Sequence, residues 1–353
     1  MHYGVRRWTA TLTALVGLLC STAWAIGAAG DKTVTFTESI APIFLKKCAS
    51  CHRPGEIAPM SLLTYEQVRP WAKSIRQAVI TRAMPPWPAD RAHGRFTNDI
   101  SLSQSEIETI VRWVDQGARK GDPEKMPQLP QFAAGWKLGE PDYVIDLGTL
   151  EVPASGPDVF LDRHFRLNLP EDRWVRAVEI QAGNRTVLHH LVAIFGNLNM
   201  SGSPTGSSPR RAGGGQIDLQ VLSVWAAGTP PTVFPEGMGR AVKKDQELTF
   251  NLHFHPSGRA ATDHSKVGIY FGKGTVKKTI NTGFAANSGI LIPAGSDNVE
   301  YSASYVFGKD SRIVSFFPHM HLRGKDMTYT LTYPDGRREI LLSVPRYDFH
   351  WQW

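Results

Sequence analysis

Two textures of apolar spacing divide the chain. Before residue 120, apolar positions recur every three to four residues, the period of one helix face. Ile40, Ile43, Phe44 and Leu45 form one such run, opened by Thr37 and Glu38 and ending at Cys48. A second runs from Thr64 to Arg82 through Tyr65, Val68, Trp71, Ile75, Val79 and Ile80. A third starts at Ser103, which has capping-box spacing to Glu106, and carries Ile107, Ile110, Val111 and Val114 to a stop near Gly117. The pattern predicts a small all-α domain over residues 32–122.

After residue 140 the period shortens to two. Tyr143–Ile145, Val187–Phe195, Leu248–Phe254, Val267–Phe271, Ile313–Phe317 and Met327–Tyr333 are short alternating or apolar runs separated by turn residues. Pro334-Asp335-Gly336 has the composition of a hairpin turn. An all-β, jelly-roll-like antiparallel sandwich is expected here. Residues 123–138, with three prolines and little periodicity, read as a linker, and 199–216, rich in Ser, Gly and Pro, as a surface loop.

Composition agrees with this division. Gly and Pro make up about one residue in six of the 353, above the usual ~12%, which suits a turn-rich chain. Hydrophobic residues at 42% and charged residues at 20% exclude wholesale disorder. A net charge of +7, without a long Lys/Arg run or a zinc-finger spacing, gives no reason to expect nucleic acid as a partner. Arg6 and Arg7, the apolar stretch Ala10 to Cys20 and Ala23-Trp24-Ala25 have the form of a Sec-type signal peptide over residues 1–25. The expected location is the periplasm of a bacterium or the exterior, with no membrane span once the leader is cleaved.

Outside the leader the only cysteines are Cys48 and Cys51, in Cys48-Ala49-Ser50-Cys51-His52. C-x-x-C-H is the attachment pattern of c-type haem. Two thiols one helical turn apart reach the two vinyl groups of one porphyrin, and the adjoining His52 serves as proximal iron ligand. A thioredoxin-like pair expects a βαβ context, and a zinc site needs more ligands. The first region looks like a mono-haem cytochrome c. Met84, in the proline-stiffened Met84-Pro85-Pro86, is the favoured sixth ligand, with Met60 the other candidate.

The β region gathers histidines: His189-His190, His253 with His255, and His319 with His321. Imidazole is a good ligand for copper, zinc and iron. In a strand, residues i and i+2 share a face, so each H-x-H can chelate from rigid backbone. His189 and His190 are adjacent, and regular strand geometry sends them to opposite faces. Joint ligation then needs a bulge or a strand end.

Leu188-His189-His190-Leu191, Asn251-Leu252-His253-Phe254 and Pro318-His319-Met320-His321-Leu322-Arg323-Gly324, in that order, resemble the copper type II, ascorbate-dependent monooxygenases. That family includes peptidylglycine α-hydroxylating monooxygenase and dopamine β-monooxygenase. The resemblance spans about residues 140–353. It implies two consecutive jelly rolls, over 139–280 and 281–353, each supplying one copper. His189, His190 and His253 would form an electron-transfer copper site, and His319 and His321 would be catalytic, as ligands of an oxygen-activating copper. The family completes that second site with a Met thioether well downstream. Met320 and Met327 do not match it and the sequence stops at Trp353, so the second jelly roll is expected to be truncated. His255 lacks a clear family counterpart: it could stand behind the ligands or replace His253 as one of them. The absence of cysteine from the β region and the fused haem segment both depart from the animal members.

The resulting expectation is an exported haem c and copper oxidoreductase. It would be an oxygen-dependent hydroxylating monooxygenase in which haem relays electrons to copper. A periplasmic donor or an ascorbate-like reductant, molecular oxygen and an organic substrate would be its partners. The alternatives are a non-catalytic electron-transfer or copper-binding protein, and a glycan-binding sandwich.

Overall fold

The structure, a computed structural model, describes residues 33–132, 135–198, 210–211, 217–287, 289–349 and 351. The leader expected over 1–25 and most of the loop expected over 199–216 lie outside the described residues.

A π-helical turn over Phe36–Ile40 runs directly into α1 (Ala41–Lys47). Helix α2 (Tyr65–Val68) is capped by Thr64, whose side chain accepts from the Gln67 amide. A short 3-10 turn leads from it into α3 (Ala72–Ile80). In α4 (Gln104–Asp115) the Ser103 hydroxyl accepts from the Glu106 amide at 3.2 Å, and the Glu106 carboxylate accepts from the Ser103 amide at 2.7 Å. Ile107, Ile110 and Trp113 then lie on one buried stripe. They pack with Phe36, Ile40, Phe44, Val68, Ile75 and Val79.

These helices do not amount to the small all-α domain expected over residues 32–122. The longest has twelve residues, and the stretches between them, rich in Pro and Gly (Pro54, Gly55, Pro85, Pro86, Pro88, Gly94), are irregular. Proline removes a backbone donor and halts the helical ladder, so the apolar period is not converted into continuous helix. The helical stretch is also not self-contained, because residues 34–353 form one compact unit. Its irregular loops close on the β region: Glu56 is ion-paired with Arg185, and the Asp90 amide donates to the Ser343 carbonyl at 2.8 Å. The stretch expected as a linker is likewise anchored, since the Lys137 and Leu138 amides donate to the Glu179 carboxylate.

The remainder is predominantly β. In chain order the strands are β1 (Tyr143–Asp146), β2 (Leu150–Val152), β3 (Val159–Arg166), β4 (Arg173–Gln181), β5 (Leu188–Phe195), β6 (Arg210–Arg211), β7 (Ile217–Asp218) and β8 (Val221–Ala226). There follow β9 (Thr232–Val233), β10 (Met238–Val242), β11 (Glu247–Phe254), β12 (Ala261–Asp263), β13 (Lys266–Phe271), β14 (Lys278–Thr279), β15 (Met327–Thr332) and β16 (Arg338–Val344). One sheet has the order β1-β13-β4-β10-β14, with β9 alongside β4, and the other has the order β3-β11-β5-β8. They share a single core, in which Val175, Val178, Val267 and Ile269 of the first sheet pack with Leu191, Leu248, Phe250 and Leu252 of the second. All pairings within the four-stranded sheet are antiparallel. The expected all-β sandwich is therefore present once.

The second jelly roll expected over 281–353 is not formed. From residue 280 to 326 the described backbone is without strands, the run Ile313–Phe317 included, and only the hairpin β15–β16 follows, turning at Pro334-Asp335-Gly336. Ile290, Leu291, Val306 and Val314 are exposed, so this segment buries too little apolar surface to close a sandwich of its own. A lone two-stranded hairpin does not supply one either.

Candidate metal centre

Strand β11 alternates strictly. Leu248, Phe250, Leu252 and Phe254 enter the shared core, while Thr249, Asn251 and His253 take the other face. His253 is nevertheless fully buried, with Phe160 of the neighbouring β3 stacked on its ring at 4.1 Å between centroids and 13° between planes.

On the other side of β11 lies β5, where the register shifts. His253 faces His190, but Phe254 faces Leu188, so His189 is an extra residue in the ladder. This is a β-bulge, and it changes which way the neighbours point. The result is a cluster in which one ring nitrogen each of His189, His190 and His253 lies within 4.8 Å of the others. The Nδ1 atoms of His189 and His190 are 3.1 Å apart, and those of His253 and His190 are 3.4 Å apart. Phe349 stacks on His189 at 5.0 Å and covers the cluster from the C-terminal side.

The electrostatics favour the neutral forms of His190 and His253. Burial, reinforced by the neighbouring imidazoles of His253 and His189, pushes His190 down to about 2. Burial also lowers His253, although Asp158 pulls the other way. The Asp158 carboxylate receives His253 Nε2 at 2.7 Å on one oxygen and His255 Nδ1 at 2.7 Å on the other. Partial burial opposes its charge, yet these two hydrogen bonds outweigh burial and hold the carboxyl below its ordinary value. His255 therefore stands behind the carboxylate and outside the cluster of three.

His319 and His321 lie in irregular backbone rather than in a strand, and both are exposed. Their rings are 5.2 Å apart, and His319 is 6.2 Å from His190, so the five imidazoles form one neighbourhood. The Tyr347 hydroxyl holds this loop. It accepts from the Met320 amide at 3.0 Å and donates to the Met320 carbonyl at 2.5 Å. Gly324 makes the close approach possible, because a Cβ there would lie 2.7 Å from Met320 Cβ and 2.8 Å from the Tyr347 ring.

In the helical stretch, Cys48 and Cys51 are free thiols, and Cys51 and His52 both donate their amides to the Cys48 carbonyl, at 3.1 and 2.9 Å. Burial raises both thiols, Cys48 to about 12, so both stay protonated. His52 Nδ1 lies 3.1 Å from the Met60 carbonyl. With a proton on Nδ1, that bond leaves Nε2 as the metal-binding nitrogen. Beside this loop lies a cavity of about 690 Å³, lined by residues that include Arg53, Glu56, Glu179, Arg185, Trp225 and Thr232.

Asp158, Phe160, Phe349, Tyr347 and the Glu56–Arg185 pair have no signal in the sequence pattern. No helix among the described residues is long and apolar enough to cross a membrane. No protein-family model and no curated protein matches the chain, so its chemistry is read from these residues alone.

Proposed function

We propose that this chain is a copper- and haem c-dependent oxidoreductase acting outside the cytoplasm, and that it supports oxygen-dependent hydroxylation of an organic substrate. The observation that carries this reading is the meeting of His189, His190 and His253 through their ring nitrogens in a buried place. Three neutral imidazoles carry at most one proton each, and each places that proton on only one nitrogen. The Nδ1 atoms face each other at 3.1 and 3.4 Å, close enough for one cation to be held by all three imidazoles at once. An all-imidazole set suits copper, and being neutral it compensates the doubly charged ion less than an anionic set would, so it favours Cu(I) by comparison. Copper, when bound, supplies one-electron redox chemistry at this point.

The chain's own residues divide the work. Phe160 and Phe349 exclude water from the rings, and the bulge at His189 aims two successive side chains into one place. Tyr347 holds the His319–His321 loop beside the triad, open to solvent and to a substrate. Cys48, Cys51 and His52 fit a covalently attached haem. The thiols are unpaired and one turn apart, and the Met60 carbonyl orients His52. Met84, or Met60, whose backbone carbonyl meets His52, would supply a thioether ligand to the iron.

A second reading, a non-catalytic electron carrier that binds copper, is favoured by a specific observation. Among the described residues the one group of three or more His, Cys, Asp or Glu that could hold a metal is the triad, which includes neither His319 nor His321. The test is direct. Protein exported to a periplasm is analysed for haem by its alkaline pyridine spectrum and for copper by mass spectrometry, then reduced anaerobically and mixed with oxygen. Haem, copper and copper-dependent reoxidation with oxygen uptake support the oxidoreductase. Copper without oxygen uptake leaves the carrier, and a protein without copper refutes both.

A further inference from the structure

We propose that Asp158 is a positioning residue that fixes which nitrogen His253 offers to a metal ion, with His255 buttressing it from the solvent side. This rests on the copper reading above and specifies how one of the three imidazoles is prepared for it. Asp158 immediately precedes β3, whose pairing with β11 sets Val159 opposite Phe254 and Phe160 opposite His253. The backbone register therefore delivers the carboxylate to His253, and Phe160, stacked on the imidazole, opposes rotation of the ring.

The chemistry of the contact is restrictive. An ionised carboxylate only accepts hydrogen bonds. Its oxygen lies 2.7 Å from His253 Nε2, so the one proton of the neutral ring sits on Nε2. Nδ1 is then a bare lone pair, and it is Nδ1 that lies 3.4 Å from His190 Nδ1. Without Asp158 the buried ring has no such preference, and a proton on Nδ1 would block the ligand position.

His255 follows His253 by two residues, on the same side of the chain, so one carboxylate reaches both. Its Nδ1 lies 2.7 Å from the second carboxylate oxygen, while more than half of its side chain is in solvent. This explains why two histidines alternate here although one joins the triad. His255 uses up the second oxygen of Asp158 and stops the carboxylate from turning away. A partner of this kind changes metal affinity by about 10- to 100-fold when removed.

The test uses the full chain with Asp158→Ala, Asp158→Asn and His255→Ala. In the copper-free protein, histidine-selective nitrogen NMR reads the tautomer of His253. The expected result is Nε2–H in the native chain and in Asp158→Asn, whose amide oxygen still accepts, and a mixture in Asp158→Ala. Cu(II) titration against a competing chelator is expected to give losses of about 100-fold for Ala and about 10-fold for Asn. The copper EPR hyperfine pattern should shift in Ala and return in Asn. If Asp158→Ala does not fold, Asp158→Asn and His255→Ala still report affinity, and native values in both would overturn the proposal. A native tautomer and native copper affinity in a folded Asp158→Ala chain would also overturn it. An Nδ1–H tautomer in the native chain does so without touching the copper reading, whereas a native chain with the expected tautomer but no copper binding defeats the copper reading first.

Discussion

Replacing Glu56 with Gln is expected to destabilise the protein by about 2–3 kcal/mol. The side chain is 8% exposed and lies between two guanidinium groups: Arg53 at 2.5 Å, and Arg185 at the approach to β5. Removing one member of a fully buried ion pair costs about 3–5 kcal/mol, because the remaining charge is left desolvated without compensation. Here two charges are left, but the Arg53 and Arg185 side chains are 15% and 25% exposed, so water recovers part of the loss. Arg53 also keeps the face of Phe132, at 4.1 Å, as a partner. Urea unfolding at pH 7, followed by far-UV circular dichroism, reads the change as a shift in midpoint at constant slope. Adding Arg185→Gln to the Glu56→Gln chain should recover part of the stability, since it removes one of the stranded cations. A single-variant loss under about 0.5 kcal/mol would refute the reasoning, because it would place this triad in the class of exposed pairs that contribute almost nothing.

The copper-free protein is expected to lose stability on acidification. Because His190 is held down to about 2, its contribution is fully present above the unfolded value of 6.5 and is lost as pH falls below it, amounting to about 2 kcal/mol by pH 5. Urea midpoints at pH 7 and pH 5 check this, and His190→Phe should flatten that part of the profile. His253→Ala is expected to abolish tight copper binding at the triad, measured by metal retention after dialysis, and unchanged stoichiometry would rule out the site. Tyr347→Phe deletes both hydrogen bonds to Met320 and should cost about 1–2 kcal/mol while making the loop around His321 more sensitive to protease. Gly183→Ala places a Cβ 2.2 Å from the His264 amide nitrogen, so a backbone shift costing about 1–3 kcal/mol is expected in thermal unfolding.

The parts of this protein legible in its sequence are those set by local periodicity. Alternation in Leu248–Phe254 identifies both the strand and the face that carries His253. The Ser103–Glu106 spacing identifies the start of α4 to the residue. What was not legible depends on distant partners. Ile313–Phe317 has an apolar pattern but stays irregular, meeting β15 only through Tyr329, whose ring lies 5.1 Å from that of Phe316 and whose hydroxyl donates to the Phe317 carbonyl at 3.3 Å. The helical periods before residue 120 are genuine, yet whether they close into a domain is decided by contacts such as Glu56 with Arg185, far apart in sequence. The candidate site divides in the same way. His189, His190 and His253 stand out by residue type, whereas Asp158 becomes visible only once β3 is placed beside β11.

The extra residue at His189 makes the cluster dependent on the length of the chain as well as on its side chains. Deleting that single codon would let β5 and β11 zip together evenly, leaving a well-formed sheet from which the pocket of imidazoles had vanished. Gain or loss of the centre is thus within reach of one in-frame insertion or deletion, and an otherwise intact sandwich with or without it can belong to the same lineage.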